Sequence, residues 1–137
     1  MESLLQRAAD LLGREQLGRA IVFGSTPMSL AGLPREPRDL DLFVASDLYR
    51  TLMDEELEER RDAQGHPFLA LAPDIEVWAS FPGVRWDEVA ARARLDPRAR
   101  GLRVADLSHV RAYKIALGRS RDQADVRAID ALLSAVD

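Results

Sequence analysis

The stretch VFGSTPMSLAGLPREPRDLDLFV, residues 22–44, organises this sequence. Residues 19–24 form a short run of β-branched and aromatic residues that ends in glycine, which is typical of a buried strand. Residues 40–45 predict a second strand. Between the two, Pro27 follows a potential N-cap and opens a short helix that Gly32 would end. The prolines that follow predict an extended loop.

Two acids, Asp39 and Asp41, begin the second of these strands. Residues two apart in a strand share a face, so both carboxylates are expected on one side while Leu40 and Leu42 fill the other. Aspartate is depleted in strands and neighbouring like charges repel, so a divalent cation is the natural compensation. An isolated pair of this kind is typical of a half-exposed strand. The glycine and helix start at residues 24–27 favour a site for magnesium and a nucleoside triphosphate instead.

The rest of the chain alternates helical and strand patterns. Helices are predicted at residues 3–15, 47–62, 86–94, 107–117 and 121–136, and further strands at residues 68–72, 74–80 and 101–105. This order predicts an α/β (α+β) fold, a mixed β-sheet flanked by helices with two C-terminal helices. At 137 residues, a single domain spanning residues 1–137 is expected.

Composition excludes several classes of function. The chain has no cysteine, which removes thiol catalysis, disulfides, cysteine-ligated zinc and iron–sulfur clusters. With 23 acidic and 19 basic residues the net charge is −4, which argues against a general nucleic-acid coat. The apolar runs are too short to span a bilayer and the N-terminus lacks a secretion signal, so no membrane association and a cytoplasmic location are expected.

Residues 22–44 resemble the signature of the DNA polymerase β-like nucleotidyltransferase superfamily: an apolar strand, Gly-Ser or Gly-Gly, then two acids separated by one apolar residue. They are most similar to a small prokaryotic branch that includes the AbiEii-type toxins. The positions that match this branch are Gly24, Gly32, Pro34, Arg35, Asp39 and Asp41. The sequence departs from the branch at Ser25, Pro27 and Pro37, and no departure removes a carboxylate.

The resemblance implies a two-metal magnesium site. Asp39 and Asp41 would hold the ions, and a third acid would come from the segment at residues 74–77. Asp74 and Glu76 share a face of that strand, so either is a candidate metal ligand. We favour Glu76 because apolar residues flank it within the strand, whereas Asp74 follows a proline at the strand edge.

Residues 102–129 are similar to the C-terminal motif of the same branch, with Lys114, Arg119, Asp122 and Asp125 at its charged positions. Lys114 is the one lysine among 19 basic residues and lies on the apolar stripe of its predicted helix. Either its stem covers apolar surface while the amine reaches water, or its compact charge faces a phosphate or carboxylate.

The two acids of this motif have structural explanations as well. Asp122 lies in the first turn of the last predicted helix, behind a capping box of Ser120 and Gln123. Asp125 either forms a salt bridge to Lys114 or Arg119 or acts directly in the site.

The resemblance implies transfer of a nucleoside monophosphate from a triphosphate to an acceptor hydroxyl of an RNA, a protein or a small molecule. Asp39, Asp41, Glu76 and Lys114 would be catalytic. The nucleotide would be bound by Gly24, Ser25, Arg35, Lys114, Arg119 and Asp125. It also suggests a toxin–antitoxin or defence context with a cognate partner protein.

Two alternatives remain. The first is a catalytically inactive binding module of the same fold, acting as a partner or antitoxin subunit. It is supported by the chain's small size, since AbiEii-type toxins carry an additional helical region. The second is a metal-dependent phosphodiesterase, which is disfavoured because no histidine lies at motif spacing.

Overall fold

The computed structural model describes residues 2–135, which form a mixed α/β fold. The helices are α1 (Glu2–Leu12), α2 (Thr26–Leu30), α3 (Ser46–Met53), α4 (Trp86–Arg92), α5 (Leu107–Leu117) and α6 (Gln123–Ala135). The strands are β1 (Ala20–Phe23), β2 (Leu40–Val44), β3 (Glu58–Arg61), β4 (Pro67–Ala72), β5 (Ile75–Trp78), β6 (Arg94–Leu95) and β7 (Arg103–Val104). Short 3-10 helices occupy Arg14–Arg19, Pro97–Ala99 and Ser120–Asp122. The predicted fold class is confirmed.

One sheet, in the order β3-β4-β5-β2-β1-β7-β6, contains all seven of these strands. At its centre β2 runs antiparallel to β1 and parallel to β5. The carboxyl end of β1 therefore meets the amino ends of β2 and β5 at one edge of the sheet. In this register Asp41 lies between Phe23 of β1 and Glu76 of β5. The topology alone places two acidic residues side by side where β1 ends.

The strands bury apolar side chains on both faces of the sheet. On one face Leu40 and Leu42 belong to a core that includes Leu5 of α1 and Leu48 of α3. On the other face Phe23, Phe43 and Trp78 pack with Phe81 and with residues of α4, α5 and α6, namely Val89, Val110 and Ile129. Phe23 and Phe81 lie 4.6 Å apart between ring centres. The predicted alternation, with Asp41 on one face of β2 and Leu40 and Leu42 on the other, is therefore present.

The helix predicted at residues 47–62 is wrong in its second half. Helix α3 ends at Met53, Glu56 adopts a left-handed φ of 63°, and Glu58–Arg61 pair with β4 as an edge strand. Leu57 is the one apolar residue between Met53 and Asp62 and packs against the core, whereas all four residues of β3 are charged and exposed. Charges on an edge strand discourage pairing with other chains.

Two helix boundaries also differ from prediction. The first helix ends at Leu12 because Gly13 takes a φ of 85°. The last helix begins at Gln123 rather than residue 121, and residue 136, its predicted end, lies outside the described residues. Strand β6 was not predicted, since two exposed residues carry no readable alternation. Within residues 2–135, every helix is too short or too polar to cross a membrane.

The central strand should carry most of the stability of the sheet. Leu42 is fully buried, whereas Leu95 is 74% exposed on the edge strand β6. We expect Leu42→Ala to lower the free energy of unfolding by about 2–5 kcal/mol because it leaves a cavity in the core. The matched change Leu95→Ala should cost less than about 0.5 kcal/mol. Urea denaturation of both variants measures the difference, and similar losses would contradict the placement of β2.

Candidate active site

Two carboxyl groups, one from β2 and one from β5, lie beside the carboxyl end of β1. Asp41 and Glu76 are paired residues of neighbouring strands, and their carboxyl groups lie close enough for each to shift the pKa of the other. The Nε1 of Trp78 donates to Asp41 Oδ1 at 3.3 Å. Asp41 and Glu76 form what we call the acidic pair.

Gly24 makes room for this pair. It has a φ of 70°, and a methyl group in place of its hydrogen would lie 2.6 Å from Asp41 Oδ2. That distance is far inside van der Waals contact, so a side chain at this position would displace the carboxyl group. The glycine that ends β1 is therefore explained by the close approach of Asp41 as well as by its backbone conformation.

The acidic pair resists losing its protons. Burial, followed by the negative charge of Glu76, raises the pKa of Asp41 to about 7. Burial also raises the pKa of Glu76. Two acids this close repel once both are ionised, and a proton or a cation between them removes the repulsion.

The other two predicted metal ligands, Asp39 and Asp74, lie in different surroundings. Asp39 precedes β2, is exposed, and lies near enough to raise the pKa of both Asp41 and Glu76. Asp74 lies in the turn between β4 and β5 and pairs with Arg7 of α1, which lowers its pKa. The side chain of Asp74 is thus engaged away from the acidic pair, and of the two candidate third acids only Glu76 is joined to Asp41.

An alternating chain of charged residues lies beside the acidic pair. The Nζ of Lys114 is 2.9 Å from Asp125 Oδ2 and 3.5 Å from Asp122 Oδ1. Arg119 Nε pairs with Asp122 at 2.6 Å, and Arg35 pairs with Asp125. We call these five residues the ion network.

The contacts of the ion network decide between the sequence-based hypotheses for Lys114, Asp122 and Asp125. Lys114 is only 4% exposed, so its amine does not reach water along an apolar surface. Asp122 is 3% exposed and pairs with Arg119 and Lys114. The cap of the turn Ser120–Asp122 is Arg119, without a side-chain hydrogen bond, rather than the predicted Ser120. Asp125 forms the predicted salt bridge to Lys114, and its other partner is Arg35 rather than Arg119.

Asp125 ties the loop between α2 and β2 to the C-terminal helices. Arg35 lies in that loop, which runs from residue 31 to Asp39, and its guanidinium reaches Asp125 on α6. The same carboxylate holds Lys114 of α5. One aspartate therefore positions both the buried ammonium group and the loop that leads to Asp39.

The acidic pair and two members of the ion network, Lys114 and Arg119, line one cleft of about 680 Å³. Lys114 Nζ is 3.5 Å from Ser25 Oγ, which directly follows Gly24, so the two motifs found in sequence meet at this turn. The cleft walls also include the hairpin turn at residues 62–64, the turn at residues 119–121, and Tyr113. Of these positions only Arg119 was predicted as a site residue, because only tertiary packing brings the hairpin turn and Tyr113 of α5 together.

The donor set suits magnesium, although no cage of ligands is preformed. Within residues 2–135, no group of three or more acidic or histidine side chains is arranged to hold a metal ion. The acidic pair nevertheless presents hard oxygen ligands with raised pKa values, and Asp39 lies nearby. Magnesium commonly takes one or two carboxylates and completes its shell with phosphates and water. These residues therefore fit the ion.

The raised pKa of Asp41 predicts that the metal-free protein loses stability as the pH rises. The folded state holds this proton up to a pH of about 7, whereas the unfolded chain releases it near the ordinary value of 3.8. The contribution of Asp41 to the free energy of unfolding is therefore greatest below pH 4 and falls between pH 4 and about pH 7. We expect Asp41→Asn to abolish this decline and to raise the free energy of unfolding at pH 8 by at least about 1 kcal/mol.

Urea denaturation at pH 5 and pH 8 in a chelator measures this effect. The exposed Asp54→Asn variant is the control and should decline as the native protein does. Equal stability of the native protein at the two pH values, or an unchanged decline in Asp41→Asn, would contradict the prediction.

The ion network predicts that Lys114 is required for folding stability. Lys114→Met leaves Asp122 and Asp125 buried without their shared cation, so we expect a loss of about 3–5 kcal/mol. Arg111 on the same helix pairs with Asp130 at the surface, with side chains 39% and 49% exposed. Arg111→Met should cost about 1 kcal/mol or less. Comparable losses in the two variants would contradict the burial of Lys114.

Comparisons with known proteins assign no family. No protein-family model matches the chain, and no curated protein was found to be similar to it. The resemblance of residues 22–44 to nucleotidyltransferases therefore stays a prediction, and the contacts of the cleft are the basis for a function.

Proposed function

We propose that this protein is a magnesium-dependent nucleotidyltransferase that moves a nucleoside monophosphate from a triphosphate to an acceptor hydroxyl. One observation carries the proposal: the cleft has two poles of opposite charge that meet at adjacent residues. The acidic pair packs against Gly24, and the ion network reaches Ser25 through Lys114. Such a bipolar cleft suits a metal-bound polyphosphate.

The acidic pole would hold the metal through Asp39, Asp41 and Glu76. Magnesium, when bound, neutralises phosphate charge and lowers the pKa of a nearby hydroxyl. The acceptor oxygen forms a bond to the α-phosphorus as the bond to the β-phosphate oxygen breaks, which releases pyrophosphate. Glu76 is half-buried and lines the cleft, and it would orient the acceptor hydroxyl and take its proton.

The basic pole would bind the phosphates. Lys114, Arg35 and Arg119 face two carboxylates in the ion network, so one positive charge remains in excess. A smaller polar cavity of about 320 Å³ is lined by Ser25, by the ion network, and by Arg121, which adds another cation. The hydroxyl of Ser25 would donate to a phosphate oxygen at the junction of the poles.

The acceptor and the cellular setting follow from the resemblance alone. We keep RNA, a protein side chain and a small molecule as acceptors, and a cytoplasmic toxin–antitoxin or defence system with a cognate partner protein as the setting. The open cleft does not select one acceptor over another.

A specific observation favours the alternative of a binding module without turnover. The ammonium group of Lys114 already has two carboxylates within 3.5 Å, so its contacts are satisfied without a substrate. In that case the ion network serves only to hold α5, α6 and the loop at residues 31–39 together.

Calorimetric titration tests binding. The probe is an α,β-methylene analogue of ATP with magnesium, because the bond broken in the proposed reaction lies between the α- and β-phosphates. We expect the native protein to bind it and the double variant Asp39→Asn with Asp41→Asn to lose binding. Glu76→Gln should weaken binding by about tenfold and Asp74→Asn should not, since Asp74 is paired with Arg7. No binding by the native protein would overturn the proposal.

Pyrophosphate release separates an enzyme from a binding module. Each of the four nucleoside triphosphates is incubated with magnesium and with one class of acceptor: total RNA, whole-cell protein or small metabolites. We expect the native protein to release pyrophosphate from one of the four nucleoside triphosphates. Glu76→Gln should abolish that release. Binding of the analogue without any release across this panel would favour the binding module.

A further inference from the structure

Tyr113 is a cleft residue to which the proposed reaction has assigned no role. It lies on α5 directly before Lys114 and three residues after the buried Val110, so it faces the sheet. Its ring packs between Phe23 and Phe81, with ring centres 5.3 Å and 5.1 Å away. This aromatic contact on two sides fixes the direction of the side chain, so a hydrogen bond from its hydroxyl would cost little conformational freedom.

The side chain of Tyr113 lines the cleft together with residues of both poles, Asp41 and Arg119 among them. The charges of Asp41, Arg119, Asp122 and Asp62 all act on its hydroxyl. Among residues 2–135 it has no hydrogen-bond partner, and it is not among the buried polar groups that lack one. It therefore opens to the cleft. The chain's other tyrosine, Tyr49, bonds instead to Glu59 at 3.1 Å.

The neighbouring charges select the kind of ligand. Asp122 is already paired with Arg119 and Lys114, Asp41 accepts a hydrogen bond from Trp78, and Asp62 accepts from the backbone of Gln64 and His66. The free hydrogen-bonding capacity on this wall is thus a donor, since the carboxylates around it are satisfied by other groups. A donor beside a guanidinium group suits an anionic oxygen.

We infer that Tyr113 contacts the substrate, and that its hydroxyl donates a hydrogen bond to a phosphoryl oxygen of the nucleotide bound in the cleft. This inference rests on the proposed function, because it takes the ligand of the cleft to be a nucleotide. It adds a residue to which the resemblance assigned no role and that holds the phosphate chain between the acidic pair and the ion network.

The electrostatic surroundings keep this group a donor. Burial, and then the charge of Asp41, raise the pKa of Tyr113 to about 12. The phenol is therefore protonated throughout the neutral range, and a phenolate would in any case repel a phosphate.

Tyr113→Phe tests the contact, with Tyr49→Phe as the matched control. Two probes are titrated by calorimetry with magnesium: the α,β-methylene analogue of ATP, and inorganic tripolyphosphate, which has no nucleoside. We expect Tyr113→Phe to bind both probes about fivefold more weakly than the native protein, as for one lost hydrogen bond. Tyr49→Phe should bind both as the native protein does.

The thermal unfolding temperature distinguishes a structural role of Tyr113 from a contact with the substrate. Tyr113→Phe should unfold at the native temperature, because no hydrogen bond within the protein is lost, whereas Tyr49→Phe loses its bond to Glu59 and should unfold earlier. A lower unfolding temperature for Tyr113→Phe would overturn the contact in favour of a structural role.

The remaining outcomes are also decisive. Native affinity of Tyr113→Phe for both probes overturns the contact, and weakened binding of the ATP analogue alone overturns its assignment to a phosphoryl oxygen. Failure of the native protein to bind either probe overturns the proposed function itself, and the contact with it.

Discussion

The buried ammonium group of Lys114 is the interaction on which the cleft depends. A lysine with 4% exposure is tolerated only when its charge is matched, and here Asp122 and Asp125 match it. Those carboxylates in turn hold Arg119 and Arg35. Because the five residues come from α5, α6, the turn between them and the loop before β2, one charge-matching requirement joins four segments of the chain.

The same arrangement explains how the two poles coexist a few residues apart. Within residues 2–135 no salt bridge reaches the acidic pair, although the charge of Arg60 acts on Glu76, and Asp41 accepts a hydrogen bond from the indole of Trp78. The cations of the ion network are paired with Asp122 and Asp125, and among the described residues no salt bridge joins them to the acidic pair. Separate compensation leaves the carboxyl groups able to exchange a proton for a cation, at a cost in stability that buried, unpaired acids always carry.

Much of the fold was predictable because periodicity survives in the sequence wherever one face of an element is buried. The alternation of Leu40, Leu42 and Val44 identified β2, and the helical spacing of Leu107, Val110 and Leu117 identified α5. Elements without a buried face were missed or misjudged: β3 is exposed at every residue, and β6 is two residues long. For such segments the partner strand, which is distant in sequence, determines the structure.

The candidate site divides in the same way. The sequence by itself determined Asp39, Asp41 and Lys114 as candidate site residues, because each violates a local preference. Aspartate is unusual in a strand, and lysine is unusual on an apolar stripe. Only the tertiary structure decided which acids meet. The strand register joins Glu76 to Asp41, helix α1 draws Asp74 to Arg7, and the packing of α5 on the sheet places Tyr113 in the cleft. Contacts between residues far apart in sequence follow from register and packing, which no single segment encodes.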